Sequence, residues 1–204
     1  MKRSLQLVAA ALLLFGCAFL GACASYKATP QAIFDLGAAA PSAQRDAGMP
    51  PMAVAEPNVP PWLDSIEIYY RLNYANDHQL RPYTNSRWSM PPLQLFVQRL
   101  KSRIAESGGS VLSSTENASN VPLVLHVDAD DFSHAFANPE RSSGQITLRV
   151  SLFNRRNLVA QKTFSRQATA PTNDAAGAAR ALSVAGDALI VDILQWLSAL
   201  NLNK

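Results

Sequence analysis

Three stretches of this 204-residue chain alternate apolar and polar residues with a period of two. Ile66, Ile68, Tyr70 and Leu72 alternate with Glu67, Tyr69 and Arg71; Leu123, Leu125 and Val127 alternate with Val124, His126 and Asp128; Ile146, Leu148, Val150 and Leu152 alternate with Thr147, Arg149 and Ser151. Successive side chains of a strand point to opposite faces, so each stretch predicts a strand with one buried face. Residues 79–89 are polar and aromatic and predict a short or irregular strand, as do residues 111–114. The turn Asn154-Arg155-Arg156-Asn157 predicts a hairpin whose return strand runs over 158–166. Two segments have the helical period instead. Leu93, Phe96, Val97, Leu100 and Ile104 follow Pro91-Pro92 on one helical face, with Gln98, Lys101 and Arg103 off it, and Gly108-Gly109 ends the run. Asn173 or Asp174 caps a second helix to about residue 200, alanine-rich at first and then carrying Leu189, Ile193, Trp196 and Leu197. Strands, helix, strands, helix is an α+β order: a mostly antiparallel sheet with two helices packed on one face. The other face, with Glu67, Tyr69, Arg71, His126, Asp128, Thr147, Arg149 and Ser151, is polar enough for water or a partner.

The N-terminus reads as an address. Lys2 and Arg3 precede 14 apolar residues, 7–20, too few for a spanning helix of ~20 residues but suited to a signal-peptide core. The segment ends Leu20-Gly21-Ala22-Cys23. Leucine at the −3 position is too large for an ordinary signal-peptidase site, and the sequence resembles a bacterial lipobox, in which the cysteine thiol receives a diacylglyceryl group before cleavage. Cys23 is the predicted lipid-attachment residue, and Leu20, Gly21 and Ala22 its lipobox. Cys17 is a poorer candidate, since Phe15 stands at its −2 position. Several acyl chains on one residue, at about 0.8 kcal/mol per buried methylene, bind a membrane almost irreversibly. Ala24, rather than aspartate, follows the cysteine, which by resemblance to enteric sorting directs the protein to the outer membrane, facing the periplasm.

Three segments are therefore expected: a signal peptide over 1–22, an acylated N-terminus and Ala/Pro-rich tether over 23–61, and an α+β domain over 62–204. Residues 38–61 hold six of the 13 prolines and predict an extended, mobile stretch. Ile33-Phe34-Asp35-Leu36 is more apolar and is a candidate edge strand.

Composition narrows the chemistry. Of 18 basic residues two lie in the signal peptide, which leaves 16 against 15 acidic ones, no footprint for nucleic acid. Two cysteines, both near the N-terminus, exclude a disulfide scaffold and a cysteine-based zinc site. No glycine-rich phosphate loop, HExxH or GxSxG occurs, so no catalytic set and no cofactor are implied. Asn117-Ala118-Ser119 matches a glycosylation triplet that has no meaning in a bacterial lipoprotein. His126, Asp128 and Asp130 share a strand face and His134 follows; they form either a metal-ligand set or solvated residues paired with a base such as Arg149. Arg87-Trp88-Ser89-Met90-Pro91-Pro92 is the most distinctive mature segment. Either Trp88 plugs the core and Arg87 pairs nearby, or both are partner-contact residues, since Trp and Arg favour interface centres. Tyr69, Tyr70, Tyr74 and Tyr83 divide between the same two readings.

These pieces together resemble the auxiliary lipoproteins of ABC-type transport systems, the PqiC-like family. The resemblance rests on the lipobox at Cys23, Phe34-Asp35-Leu36, the strand beginning at Ile66, the polar stretch into Arg87-Trp88, Pro91-Pro92 before an amphipathic helix, and the alanine-rich last helix ending near Trp196. The long Ala/Pro tract over 38–61 departs from the pattern. The resemblance implies a non-catalytic outer-membrane component that docks a periplasmic MCE-domain protein, which works with an inner-membrane permease and a cytoplasmic ATPase to move phospholipid or other hydrophobic molecules across the envelope. A homo-oligomeric ring would suit such a partner. The competing readings are a lipid-binding carrier domain and a structural envelope lipoprotein.

Overall fold

The computed structural model describes residues 30–39, 50–112, 122–200 and 202. Eight strands and two helices occur among them: β1 (Ala32–Phe34), β2 (Met52–Val54), β3 (Glu67–Leu72), β4 (Asn76–Trp88), α1 (Pro92–Glu106), β5 (Val111–Leu112), β6 (Leu123–Asn138), β7 (Arg141–Asn154), β8 (Asn157–Thr169) and α2 (Ala175–Ala199). The fold class is α+β, as the periodicities predict.

The spine of the sheet is the 16-residue β6. On one side it pairs antiparallel with β7, and β7 with β8. On the other side two strands share its length, both parallel to it: β2 beside Leu123–Leu125 and β3 beside His134–Phe136. β4 continues antiparallel to β3, and β1 and β5 add parallel to β4 and β2. The sheet is thus mixed: its long ladders are antiparallel and its short pairings largely parallel. β4 is 13 residues long, against the short strand expected, and its ladder with β3 has two register shifts, which fits its irregular apolar pattern.

Two strands come from the stretch that reads as tether. Phe34 lies opposite Trp88, so the candidate edge strand is β1. Met52, Ala53 and Val54 are buried as β2 between β5 and β6, and the folded unit spans Gln31–Lys204. The prolines flank β2 instead of interrupting it, leaving three residues whose N–H groups can join ladders.

Each helix buries the face its sequence predicts. Pro91 and Pro92 open α1, and Leu93, Phe96, Val97, Leu100 and Ile104 enter the core. Arg103, read as off that face, is buried as well, its long stem covered and Nη1 3.3 Å from Glu106 Oε2. Asp174 caps α2 by accepting from the Gly177 N–H at 2.7 Å. The small first half of α2 lets it lie close to the sheet. A Cβ on Gly144 of β7 would stand 2.6 Å from the Leu182 backbone nitrogen, so only glycine fits there. Ile66, expected on the buried face, is exposed just before β3, and its carbonyl accepts from the Trp88 N–H.

Candidate functional site

The sheet face away from the helices is open and hydrogen-bonded across its strands. Thr147 Oγ1 lies 3.0 Å from Ser165 Oγ, Gln161 Nε2 donates to Ser151 Oγ at 2.8 Å, and Gln145 Nε2 reaches Gln167 Oε1 at 3.5 Å. Arg149 donates to Asp130 at 2.9 Å, which is the basic partner the second reading of the acidic strand required. Toward the other end of this face Arg87 faces Glu67 at 3.7 Å. The result is an open surface of amides and hydroxyls with paired charges, able to exchange hydrogen bonds with a protein at modest desolvation cost.

The sequence candidates fall as follows. Cys23, Leu20, Gly21 and Ala22 lie outside the described residues, as do Cys17 and Asn117-Ala118-Ser119. Arg87 is half-exposed on the open face. Trp88 points the other way, 2% exposed, with its ring edge-on to Phe132 at 6.2 Å. As a partner-contact residue Trp88 is therefore corrected: adjacent strand residues take opposite faces, and it plugs the core. Tyr69 packs edge-on against Trp62, Tyr70 stacks at a tilt on Tyr83, and Tyr74 is exposed.

His126, Asp128, Asp130 and His134 are not brought together. His126 is exposed and packs edge-on against Phe153. The β6 ladder shifts register between Ala129 and Asp131, leaving Asp130 as an inserted residue. Beyond that bulge the alternation inverts: Phe132 lies opposite Ile146 and His134 opposite Gly144, both on the helix side. Among the described residues no group of three or more His, Cys, Asp or Glu could hold a metal ion.

His134 instead forms a buried polar node. It is 0% exposed, its Nδ1 lies 2.9 Å from the Tyr83 hydroxyl, and its ring packs against Tyr83 and Phe136. Its Nε2 has no hydrogen-bond partner. Burial lowers its pKa to about 4, against a smaller upward pull from Asp174, so the ring is neutral at pH 7. Burial, with Tyr70 and Asp174 nearby, pushes the Tyr83 hydroxyl up. On the open side, burial raises Asp131.

Sequence reasoning missed a second node. Arg99 of α1 donates to the Leu36 and Gly37 carbonyls, to Ser183 Oγ at 3.1 Å and to Asp187 Oδ1 at 3.1 Å. Ser183 Oγ donates to the Leu36 carbonyl in turn. One buried guanidinium thus clasps the segment after β1 to both helices. The only local signal is an arginine one residue before Leu100 on the apolar side of α1; its partners are remote in sequence.

Comparison with known proteins places this architecture. A crystal structure of a DUF330-family protein from Xanthomonas campestris is similar over 84% of this chain and 96% of that one, at 18% identity and a TM-score of 0.71. A crystal structure of an uncharacterized protein is similar over 83% of this chain and 99% of that one, at 16% identity and a TM-score of 0.59. At these identities the likeness is one of fold. No curated protein matches. The model of the family described as ABC-type transport auxiliary lipoprotein component matches residues 34–194, nearly the whole folded unit from β1 to the end of α2, and the chain belongs to that family.

Proposed function

We propose that this protein is an outer-membrane lipoprotein, acylated at Cys23 and facing the periplasm, that serves as the non-catalytic auxiliary component of an ABC/MCE-type system moving phospholipid or other hydrophobic molecules. Its task is to dock the periplasmic MCE protein, which works with an inner-membrane permease and an ATPase. The family match over residues 34–194 carries this reading. The lipobox at residues 20–23 supports the anchor. The open polar face, with Arg87 at one end and the Thr147–Ser165 and Gln145–Gln167 pairs at the other, supports docking, because its side chains are already oriented by their mutual hydrogen bonds.

The test is a mild-detergent pull-down of the acylated protein with identification of its partners. Recovery of an MCE-domain protein is expected. Recovery of none, with phospholipid retained on the protein, refutes docking and makes the domain a carrier. Cys23→Ala should release the protein from the membrane fraction; retention there refutes the anchor.

A further inference from the structure

A groove of about 620 Å³ runs between the β1 edge of the sheet and the first half of α2. Phe34, Leu36 and Ala179 line it, and Ile33 and Val184 stand at its sides, 70% and 61% exposed. The apolar strip continues along the outer face of α2 through Ala188 to Val191, which is 48% exposed. Val184 and Val191 are seven residues, two turns, apart and share a helix face. Arg180, exposed, stands one turn before Val184 at the mouth of the groove. An apolar strip joined to a largely apolar groove, which Asp35, Ser89 and Ser183 also line, is the mark of a contact site. Arg99 and Ser183 fix the position of its β1 wall through the Leu36 carbonyl.

Chain direction identifies what covers it. Ile33 is ten residues after Cys23. Ten residues span at most about 35 Å fully extended, so a bilayer holding acyl chains on Cys23 is never farther than that from the groove. Such tethering gives the bilayer surface a high effective concentration at this strip. We propose that the folded domain rests on the phospholipid surface through this strip, with Ile33, Val184 and Val191 at the boundary between headgroups and acyl chains and Arg180 among the phosphates, in the manner of an amphipathic surface helix. The inference rests on the reading that Cys23 carries the anchor.

The experiment uses the full acylated protein in vesicles of phosphatidylethanolamine and phosphatidylglycerol, with or without brominated acyl chains. Once Cys17 has left with the signal peptide and Cys23 is thioether-linked, an introduced cysteine is the only free thiol. A fluorophore is placed at Ile33→Cys, Val184→Cys or, as control, Thr163→Cys, an exposed position on β8 opposite Arg149 on the open face. All three positions are exposed, so folding is not at stake. Bromolipid should quench the fluorophores at 33 and 184 by about two-fold or more and leave that at 163 unchanged, as for side chains at the interface. Equal responses at all three positions in protein that floats with the vesicles overturn the proposal and leave the anchor standing. Fluorophores at 33 and 184 shielded from both bromolipid and aqueous iodide mean that protein covers the groove, which also overturns it. Protein that does not float refutes the anchor, and the proposal falls with it.

Discussion

Replacing His134 by phenylalanine should make the domain less sensitive to acid, by an amount that follows from its burial. In the folded state the imidazole binds a proton only near pH 4, because burial disfavours its charged form. In the unfolded chain it does so near 6.5. Between those values the unfolded state takes up a proton that the folded state refuses, so stability is intact above pH 6.5 and falls as pH drops toward 4. At about 1.4 kcal/mol per pH unit the whole interval is worth about 3 kcal/mol, of which about 2.5 is lost by pH 4.5. Phenylalanine keeps the ring contacts but does not titrate. It also removes the partner of the Tyr83 hydroxyl, at about 1 kcal/mol, a loss independent of pH in this range because Tyr83 titrates far above it.

The assay is urea unfolding of an unacylated chain starting at residue 24, at pH 7.5 and pH 4.5. The wild type should be the more stable by about 1 kcal/mol at pH 7.5 and the less stable by about 1.5 at pH 4.5. Neighbouring groups do not mimic this crossing. Asp174 is held below its ordinary value by the Gly177 N–H and Thr172 and stays ionised in both proteins. Asp131, raised by burial, titrates in both proteins on the other side of the sheet. A wild-type-to-variant difference that is equal at the two pH values would refute the reasoning, since His134 would then protonate as readily folded as unfolded.

Arg99→Met should cost about 3 kcal/mol or more, read as the urea midpoint, because Asp187 keeps a largely buried charge without its partner; a cost below about 1 kcal/mol would deny the clasp its role. Gly144→Ala drives a methyl into the Leu182 and Ala181 backbone and should destabilise by about 1–3 kcal/mol in the same assay. Arg155 has a φ of 57° in the two-residue β7–β8 turn, so Arg155→Asn, better suited to that region, should stabilise by about 0.5–1 kcal/mol, seen as a raised Tm. Thr147→Arg, on the open face, should leave stability within about 0.5 kcal/mol and, on the docking proposal, reduce recovery of an MCE-domain protein in the pull-down; unchanged recovery would move docking off this face.

Local periodicity made much of the fold legible. The apolar face of α1, the Asp174 cap of α2 and the β7–β8 hairpin each follow from residues within a few positions of one another. What escaped depends on distant partners. Met52-Ala53-Val54 has too few residues to show a period, and it is a strand because Leu123 to Leu125 and Val111 offer ladders on its two sides. His126, Asp128 and Asp130 share a face on counting in twos and His134 follows, but one inserted residue at Asp130 carries His134 to the opposite face. Arg99 sits beside the apolar side of α1, but nothing local names its partner, since Asp187 is 88 residues on. Trp88 is readable either as core or as contact, and its burial against Phe132, a residue 44 positions on, decides for core.

The two β strands within residues 23–61 also change the geometry in which a partner must be met. A 39-residue tether over 23–61 would allow the domain to roam more than about 100 Å from its anchor, and a partner could be captured far from the membrane. With β1 held by Trp88 and by the Arg99 clasp, an anchor at Cys23 would stand nine residues from β1, within about 30 Å even fully extended. Such an anchor would keep the domain close to the bilayer, and which of its faces turns toward the lipid would then matter. β1 and β8 lie at opposite ends of the sheet, and α2 covers the face opposite the Thr147–Ser165 grid. A bilayer against the β1 edge and the outer strip of α2 therefore leaves the polar grid turned away from the lipid, toward the space from which a periplasmic partner would approach. Ile33 pairs with Arg87 and shares its face, so the lipid boundary and the docking face meet at the β1 edge and separate away from it: an arginine at Thr147 should not alter bromolipid quenching at Val184, and a charge at Val184 should not alter partner recovery.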